Sequence, residues 1–318
     1  MVGAGLYALA WSSDKFVLGA AALARNLGVS PFIVGMVVVG FGTSVPELLV
    51  STFSGISGHT NLSLGNAYGS CIFNIAGILG VSALIRPMMI KASIVKFATP
   101  LLLAVTTLSW FLLADGTLTR ANALILLGVF ALVMCGYCIK EAKSGSTTKV
   151  GGDEADMTMP RAVLWTLTGL STMIIASHAL VWGSVDFAKA LGVSDLVIGL
   201  TIVAIGTSVP ELASAIAASR RGAADMVLGN IVGSNFFNML AVVGIAGTIS
   251  PSCGFSRYVL ERDMPLLVIV TGLIIIFGIN FRRKRAGSAL TRSKGAVYLA
   301  IFISYMVLMI FQEVIKNG

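Results

Sequence analysis

One segment of the chain occurs twice. Residues 27–87 align with residues 191–251 without a gap, at an offset of 164 positions, and 24 of the 61 aligned positions are identical. The identities include glycine, asparagine, serine, proline and glutamate, which a shared apolar bias would not keep in register. The run "GTSVPEL" stands at 42–48 and again at 206–212. An internal duplication explains this pattern, so we expect two copies of one structural unit.

The duplicated segments belong to a chain in which 56% of residues are hydrophobic and only 11% are charged. A soluble domain carries about 25% charged residues. Apolar stretches of about 20 residues recur along the whole chain, which excludes a lone signal peptide, and they are continuous rather than alternating, which excludes a β-barrel. We therefore predict an all-α integral membrane protein with about ten transmembrane helices. The predicted helices cover residues 1–24, 30–57, 62–86, 95–114, 120–139, 161–190, 194–219, 226–250, 264–281 and 295–315.

The basic residues indicate how the chain is oriented. Loops after odd-numbered helices carry sixteen Lys and Arg residues, and the opposite loops carry five. By the positive-inside rule the first set lies in the cytoplasm, which predicts a multi-pass protein of the cytoplasmic membrane with both termini outside. The formal net charge of +8 is thus a topology signal, and we expect a lipid bilayer rather than nucleic acid as the partner. No protein partner is inferred.

Five predicted helices separate each feature from its copy, so the second copy enters the membrane upside down. We predict a first five-helix repeat over 1–139, a cytoplasmic linker over 140–160 and a second five-helix repeat over 161–318. Inverted repeats are typical of secondary transporters, whose sites form at the repeat interface near the membrane midplane. The second repeat begins near Arg161, which corresponds to a position before Met1, and this leaves open a trimmed or misassigned N-terminus.

The repeated heptapeptide predicts a broken helix with an acid at its centre. Pro46 has no N–H, and its ring crowds the carbonyl of Gly42, so backbone carbonyls around residues 40–43 are expected to need another partner. A cation, water or a hydroxyl group can satisfy them. Glu47 and Glu211 lie near the middle of their spans, where an acid costs about 2.5–3.5 kcal/mol. Two such acids brought together repel each other, which favours the binding of cations or protons.

A second repeated block adds neutral oxygen ligands. "GNAYGSCIFN" and "GNIVGSNFFN" provide Ser70, Asn74, Ser234 and Asn238, and the first motif adds Thr43, Ser44, Thr207 and Ser208. Hard cations such as Na⁺ and Ca²⁺ prefer oxygen ligands, whereas soft metals prefer Cys or His, neither of which recurs in both blocks. Ser and Asn can also serve helix packing, but a central Glu has no comparable structural use. Cys135 and Cys138 lie in an apolar run, where we expect small buried side chains.

The pairing of "GTSVPE" with a downstream "GNxxGSxxFN", found twice, resembles the α-repeats of sodium/calcium exchangers in the calcium/cation antiporter superfamily. It is most similar to the short prokaryotic members, which have ten helices in two inverted halves. The resemblance implies Na⁺/Ca²⁺ antiport by alternating access, with Ca²⁺ and Na⁺ as bound substrates, no cofactor and no enzymatic activity. It implies a central Ca²⁺ held by the carboxylates of Glu47 and Glu211 and oxygens of Thr43 and Thr207. Sodium sites would use Ser44, Ser208, Ser70, Ser234, Asn74, Asn238 and the backbone carbonyls of Gly40 and Ala204.

Alternatives to this interpretation remain. Some relatives, including potassium-dependent ones, carry an acid at the position of Asn238, so its absence argues against K⁺ co-transport. Relatives that exchange Ca²⁺ for H⁺ typically have a glutamate where this chain has 67–69 and 231–233, which favours sodium. A passive channel is less consistent with paired broken helices in one chain. The string "GISGH" at 55–59 matches the G-x-S-G of intramembrane serine proteases, and we interpret it as a chance match.

Overall fold

The computed structural model describes residues 2–56, 60–144, 157–190, 204–280, 285–286 and 288–317, and most of them are helical. The first half contains α1 (Val2–Leu27), α2 (Pro31–Val34), π1 (Gly35–Val39), α3 (Gly40–Thr43), α4 (Val45–Ile56), α5 (Thr60–Ile72), π2 (Phe73–Ile78), α6 (Leu79–Ile85), π3 (Ile94–Ala98), α7 (Thr99–Leu112) and α8 (Arg120–Ser144). The second half contains α9 (Met159–Ala190), α10 (Ala204–Gly206), α11 (Val209–Arg220), α12 (Ala224–Phe236), π4 (Phe237–Val242), α13 (Val243–Ile249), π5 (Val259–Asp263), α14 (Met264–Gly278) and α15 (Arg292–Asn317). The π segments are single π-helical turns within longer helices.

The helices of the two repeats have matching bounds. Helices α4 and α11 begin and end 164 residues apart, and the same offset relates α5 to α12, π2 to π4 and α6 to α13. The continuous helices α5–π2–α6 and α12–π4–α13 form the centre of the bundle, because nearly all of their side chains are buried. The duplication seen in the sequence is therefore also a duplication of helix lengths and of π turns.

Three short antiparallel ribbons join the helix ends: β1 (Met88–Ile90) with β6 (Ser288–Leu290), β2 (Thr117–Leu118) with β3 (Ser252–Cys253), and β4 (Ile279–Asn280) with β5 (Arg285–Ala286). Helix α7 separates β1 from β2, so the first two ribbons lie at opposite ends of the bundle. The basic loops meet at the β1–β6 end. There Arg86 Nη1 lies 3.4 Å from the carbonyl of Arg220, and Arg292 Nε lies 3.0 Å from the carbonyl of Leu84. We call this end the basic face; that it is cytoplasmic stays a prediction.

Six helical stretches in the described ranges are long and apolar enough to cross a membrane. They are Ser63–Ile85, Ile94–Leu112, Arg120–Tyr137, Met159–Ala176, Ala224–Ile249 and Arg292–Gln312. A seventh is obtained if Pro31–Thr43 and Val45–Phe53, which meet at an angle of 40°, count as one broken span. The all-α membrane architecture is thus confirmed, whereas the number ten stays a prediction, since residues 191–203 lie outside the described ranges.

The two repeats cross closely near α12. Gly233 packs against the backbone of Met36, and a Cβ atom on Gly233 would lie only 2.2 Å from the Met36 carbonyl oxygen. Gly229 meets the Phe32 carbonyl in the same way, at 2.2 Å. Only glycine permits this approach, which brings the broken helix of the first repeat against α12 of the second.

Of Cys135 and Cys138, the structure describes the side chain of one. Cys135 is exposed on α8, so the prediction that it is buried was wrong: an apolar run predicts an apolar environment, but in a membrane protein that environment can be lipid instead of protein. The side chain of Cys138 and residues 145–156 of the predicted linker lie outside the described part of the chain.

Candidate functional site

The site is formed at the breaks of two helices, one in each repeat. Ser44 follows α3 with φ −87° and ψ 8°, and Ser208 precedes α11 with φ −92° and ψ 12°. In both repeats the next residue but one is proline, which has no N–H to continue the helical ladder. The predicted interruption at Pro46 is therefore present and is repeated at Pro210. Each break places a serine and, three residues later, a glutamate at the first turn of a new helix.

Each of the two glutamates accepts a hydrogen bond from a serine of the other repeat. Ser208 Oγ donates to Glu47 Oε1 at 2.7 Å, and Ser44 Oγ donates to Glu211 Oε1 at 2.9 Å. Each carboxylate is thus held by the serine that precedes the other carboxylate. The exposed fraction is 0% for Glu47 and 1% for Glu211. The acids of the two repeats therefore meet in one buried site.

Four buried side chains that the sequence predicts as ligands have oxygens with no hydrogen-bond partner within the described coordinates. They are Glu47 Oε2, Glu211 Oε2, Asn74 Oδ1 and Asn238 Oδ1. Both amides also have unpartnered nitrogens, and all four side chains are buried. A buried polar group without a partner is costly, so these lone pairs are available to an ion or a water molecule.

The remaining hydroxyl groups lie around the carboxylates. Ser70 Oγ lies 3.5 Å from Glu47 Oε1 and 3.0 Å from Ser208 Oγ. Thr43 Oγ1 donates to the carbonyl of Val39 at 3.0 Å, one turn back in its own helix. Thr207 Oγ1 donates to Asn66 Oδ1 at 3.2 Å. Three of the six predicted hydroxyl ligands thus contact a glutamate, whereas the other three, among them Ser234, donate to other protein groups.

One of the two predicted carbonyl ligands already has hydrogen-bond partners within the protein. The carbonyl oxygen of Gly40 accepts the N–H of Ser44 at 3.3 Å and the hydroxyl of Ser234 at 3.2 Å. It is therefore satisfied by protein donors in this conformation, although the proline was expected to leave it free. Ala204 is the first residue of α10, directly after the undescribed residues 191–203.

Two asparagines that the sequence interpretation did not assign support the glutamates. Asn66 Nδ2 donates to the Glu47 carbonyl at 3.1 Å and to Ser51 Oγ at 3.0 Å. Its counterpart Asn230 contacts the Glu211 carbonyl at 3.5 Å and donates to a serine, Ser214, at 3.1 Å. The sequence could have indicated these two asparagines, because "LGN" stands at 64–66 and again at 228–230. These amides fix the first turns of α4 and α11, so they orient the acids without facing them.

One contact joins a residue to its own copy. Cys71 and Asn235 are 164 positions apart in the alignment, and Cys71 Sγ lies 3.9 Å from the carbonyl oxygen of Asn235. Equivalent residues of two repeats can touch only beside the pseudo-twofold axis that relates the repeats. The axis therefore passes between α5 and α12, next to the hydrogen bonds that link the glutamates.

The charge of the site comes from the two acids. Neither Glu47 nor Glu211 forms a salt bridge with the basic residues that the structure describes, and no cluster of three or more His, Cys, Asp or Glu side chains occurs there. The third buried acid in this part of the chain, Asp263, is paired with Arg262 at 2.7 Å. An uncompensated pair of carboxylates among hydroxyl and amide oxygens is suited to a hard cation. Residues 57–59 of the protease-like string, and the side chain of His178, lie outside the described residues.

Comparison with known proteins gives consistent matches over almost the whole chain. A family model described as "Sodium/calcium exchanger protein" matches residues 1–137 and 161–311. Inner membrane protein YrbG of Escherichia coli is 35% identical over 282 residues, which cover 86% of each chain. Sodium/calcium exchanger MaX1 of Methanosarcina acetivorans is 26% identical, with 96% of this chain and 97% of that protein covered. A solved structure of the sodium-calcium exchanger NCX_Mj superposes with a TM-score of 0.82, at 31% identity and with 95% of each chain covered.

Proposed function

Because the chain belongs to the sodium/calcium exchanger family, we propose that it exchanges Na⁺ for Ca²⁺ across the membrane at the site formed by Glu47 and Glu211. The family consists of transporters, so the chain is a cation/Ca²⁺ antiporter and not an enzyme. The transported ions are its bound substrates, and no cofactor takes part. The choice of Na⁺ as counter-ion, and the residues that bind each ion, are the proposal.

The main support for the proposal is that each carboxylate accepts a hydrogen bond from a serine of the other repeat. Ser208 binds Glu47 and Ser44 binds Glu211, and each carboxylate keeps a second oxygen without a partner among the described residues. We propose that Ca²⁺ binds between these free oxygens with hydroxyl oxygens of Thr43 and Thr207. We assign Na⁺ to surrounding positions with the following ligands: Ser44, Ser208, Ser70, Ser234, Asn74, Asn238 and the carbonyls of Gly40 and Ala204.

Exclusive occupancy follows from the shared ligands. One Ca²⁺ neutralises two carboxylates, and so do two monovalent ions that use the same oxygens. Because both kinds of ion need the Glu47 and Glu211 carboxylates, binding of one releases the other. An empty site leaves two buried negative charges with no cation, which disfavours movement between inward-facing and outward-facing states. These properties support an alternating-access mechanism in which only the ion-loaded carrier moves between the two states. The carrier would consist of two inverted five-helix halves joined by the linker.

The exposed surface of the bundle supports a position within a lipid bilayer. Helices α8, α9 and α15 carry large exposed apolar side chains, among them Leu132, Ile175 and Phe311. The relative YrbG is named an inner membrane protein, and we propose the same location here. The basic face would then be cytoplasmic and both termini would lie outside.

Proton-coupled Ca²⁺ exchange is the second candidate. A proton can neutralise a buried carboxylate as Na⁺ does, so the site itself permits it. The block in which proton-coupled relatives were expected to carry a glutamate contains Tyr68, whose hydroxyl shares a hydrogen bond of 2.7 Å with Ser109. The corresponding position is Val232, and neither residue adds an acid to the site. These residues favour Na⁺.

Ion flux in sealed proteoliposomes tests the proposal. An outward Na⁺ gradient should drive uptake of radiolabelled Ca²⁺ by the wild type, and Glu47→Gln or Glu211→Gln should abolish it, because one negative charge cannot balance Ca²⁺. Glu261→Gln is the matched control, because Glu261 lies on π5 with an exposed side chain and the variant should transport normally. Wild-type flux in either site variant would refute the site. Ca²⁺ flux driven by a pH step in the absence of Na⁺ would replace Na⁺ with H⁺ as the counter-ion.

A further inference from the structure

A small cavity on the basic face has the features of an anion site. It is lined by Arg86, Pro87, Met88, Ser219, Gly222 and Ala224 and contains about 200 Å³ of empty space, part of it continuous with solvent. These residues come from both repeats, since the first three follow α6, and the last three lie near the end of α11, in the turn after it and at the start of α12. The cavity lies apart from the carboxylate site, at the ends of the helices that carry it.

Ser219 lines this cavity with an unsatisfied hydroxyl group. Its exposed fraction is 3%, and Ser219 Oγ has no hydrogen-bond partner in the described ranges. A buried hydroxyl group normally finds a partner, because leaving it unpaired costs free energy. A ligand oxygen in the cavity would supply the missing partner.

Helix α12 presents its N-terminus to the same cavity. Ala224 is its first residue and Ala223 is its cap, which offers no side-chain acceptor to the backbone N–H groups of the first turn. Such N–H groups bind anions, and the helix dipole adds to the attraction. The acid of this turn, Asp225, is already neutralised by an ion pair with Lys91.

Arg86 completes the site. Its guanidinium group lies against Gly222, where an added Cβ atom would come within 2.8 Å of Arg86 Nη1, and Gly222 adopts a φ of 75°. No carboxylate pairs with Arg86 in the part of the chain that the structure describes. Nη1 already contacts the Arg220 carbonyl at 3.4 Å, but the guanidinium group has further N–H donors. Such donors next to a helix N-terminus match the planar oxygen geometry of phosphate.

We propose that this cavity binds a phosphate group and so links the α6 end of the first repeat to the α11–α12 turn of the second. Two sources provide that chemistry at a membrane surface: the headgroup of an anionic phospholipid, and free phosphate in the aqueous phase. Basic pockets between helix ends are a known form of headgroup site. Because α11 carries Glu211, the bound phosphate would stabilise the fold of the half that completes the carboxylate site.

Thermal unfolding of the purified full chain tests the proposal in two arms. One arm adds inorganic phosphate to protein in a neutral detergent, with chloride at equal ionic strength as the reference. The other arm compares nanodiscs of phosphatidylcholine with nanodiscs that also contain phosphatidylglycerol. Stabilisation in the first arm identifies free phosphate as a ligand, and stabilisation in the second arm alone identifies the headgroup. No stabilisation in either arm would overturn the proposal.

Variants show whether the effect arises at this cavity. Arg86→Gln should weaken the concentration dependence of stabilisation about tenfold, since it removes a charged donor. Ser219→Ala should weaken it less, and Arg86→Lys should retain part of it. Lys96→Gln, which removes a charge near the same face but outside the cavity, should behave as wild type. Equal stabilisation of wild type and Arg86→Gln would show that the anion acts elsewhere. Ca²⁺ flux is not the readout, so the result does not depend on the proposed counter-ion.

Discussion

Ser208 Oγ lies 2.7 Å from Glu47 Oε1, so a hydroxyl group of the second repeat donates a hydrogen bond to the acid of the first. Ser44 makes the equivalent contact with Glu211 at 2.9 Å. Neither repeat can therefore form the site alone, because each supplies the acid for one half of it and the donor for the other.

Removal of the Ser208 hydroxyl should weaken ion binding. In Ser208→Ala, Glu47 Oε1 loses its 2.7 Å hydrogen bond and keeps the longer contact with Ser70 at 3.5 Å, and a hydrogen bond to a charged group contributes about 1.5–3 kcal/mol. We expect about a tenfold higher Ca²⁺ concentration for half-maximal uptake of radiolabelled Ca²⁺. Ser44→Ala should do the same through Glu211. Ser12→Ala, which removes a buried hydroxyl bonded only within α1, is the control. Unchanged half-saturation in both site variants would contradict the role of these serines.

An added acid at position 238 should change the charge balance of transport. Asn238 is buried and both of its side-chain polar atoms lack partners in the described coordinates, so Asn238→Asp would add a third carboxylate to the proposed ligand set. Charge balance then requires about one more monovalent cation. We expect the Na⁺ dependence of Ca²⁺ uptake to become steeper in proteoliposomes.

The mirror variant Asn74→Asp is the matched comparison for that change. It adds the same charge at the copied position, so it should steepen the Na⁺ dependence in a similar way. An identical Na⁺ dependence in wild type and both variants would show that these amides do not face the transported ions.

A methyl group at the closest helix crossing should destabilise the protein. In Gly233→Ala the new Cβ atom would lie 2.2 Å from the Met36 carbonyl oxygen, so the backbones must separate. Overpacking of this kind costs about 1–3 kcal/mol. We expect a lower melting temperature in detergent, measured by thermal unfolding. Gly128→Ala on the exposed side of α8, where no described atom lies within 4 Å of the added Cβ, should not lower it. Equal melting temperatures of the two variants would contradict the tight crossing.

The turn before β2 should loosen in acid. Asp115 accepts hydrogen bonds from the N–H and the hydroxyl of Thr117, at 2.9 and 2.8 Å, and these bonds lower the pKa of Asp115 below its ordinary value of 3.8. A lowered folded-state pKa means that the contribution to stability is present above 3.8 and is lost as the pH falls through the folded-state value. The carbonyl of Gly116 accepts the amides of Gly254 and Phe255, so their hydrogen exchange reports the loss.

The control for this prediction is Asp115→Asn. In that variant the protection of the Gly254 and Phe255 amides should no longer depend on the charge of residue 115, and the β1–β6 amides serve as an internal reference. The same loss of protection in wild type and variant would show that Asp115 does not stabilise the turn.

The sequence predicted the membrane class and the meeting of the two motifs, because the duplication requires both copies to take the same structure. It also predicted the breaks at Pro46 and Pro210, since a proline has no N–H and interrupts the helical hydrogen bonds at its own position. It did not predict that the carbonyl of Gly40 would be satisfied by Ser234, because that partner is 194 residues away. The role of Asn66 was missed for a related reason: an amide that bonds a backbone carbonyl resembles a packing residue in the sequence.

The contact between Cys71 and Asn235 has a consequence for how such a site can evolve. In a dimer of identical chains, the position beside the symmetry axis must face itself, so one residue type would have to fit against its own copy. Fusion into a single chain removes that restriction, because each copy is encoded separately. Here the thiol of Cys71 lies against the backbone of Asn235, so the two copies carry different residue types at a position where a homodimer would carry the same residue twice. A transporter with one fused chain can therefore adjust the two sides of its ion path independently.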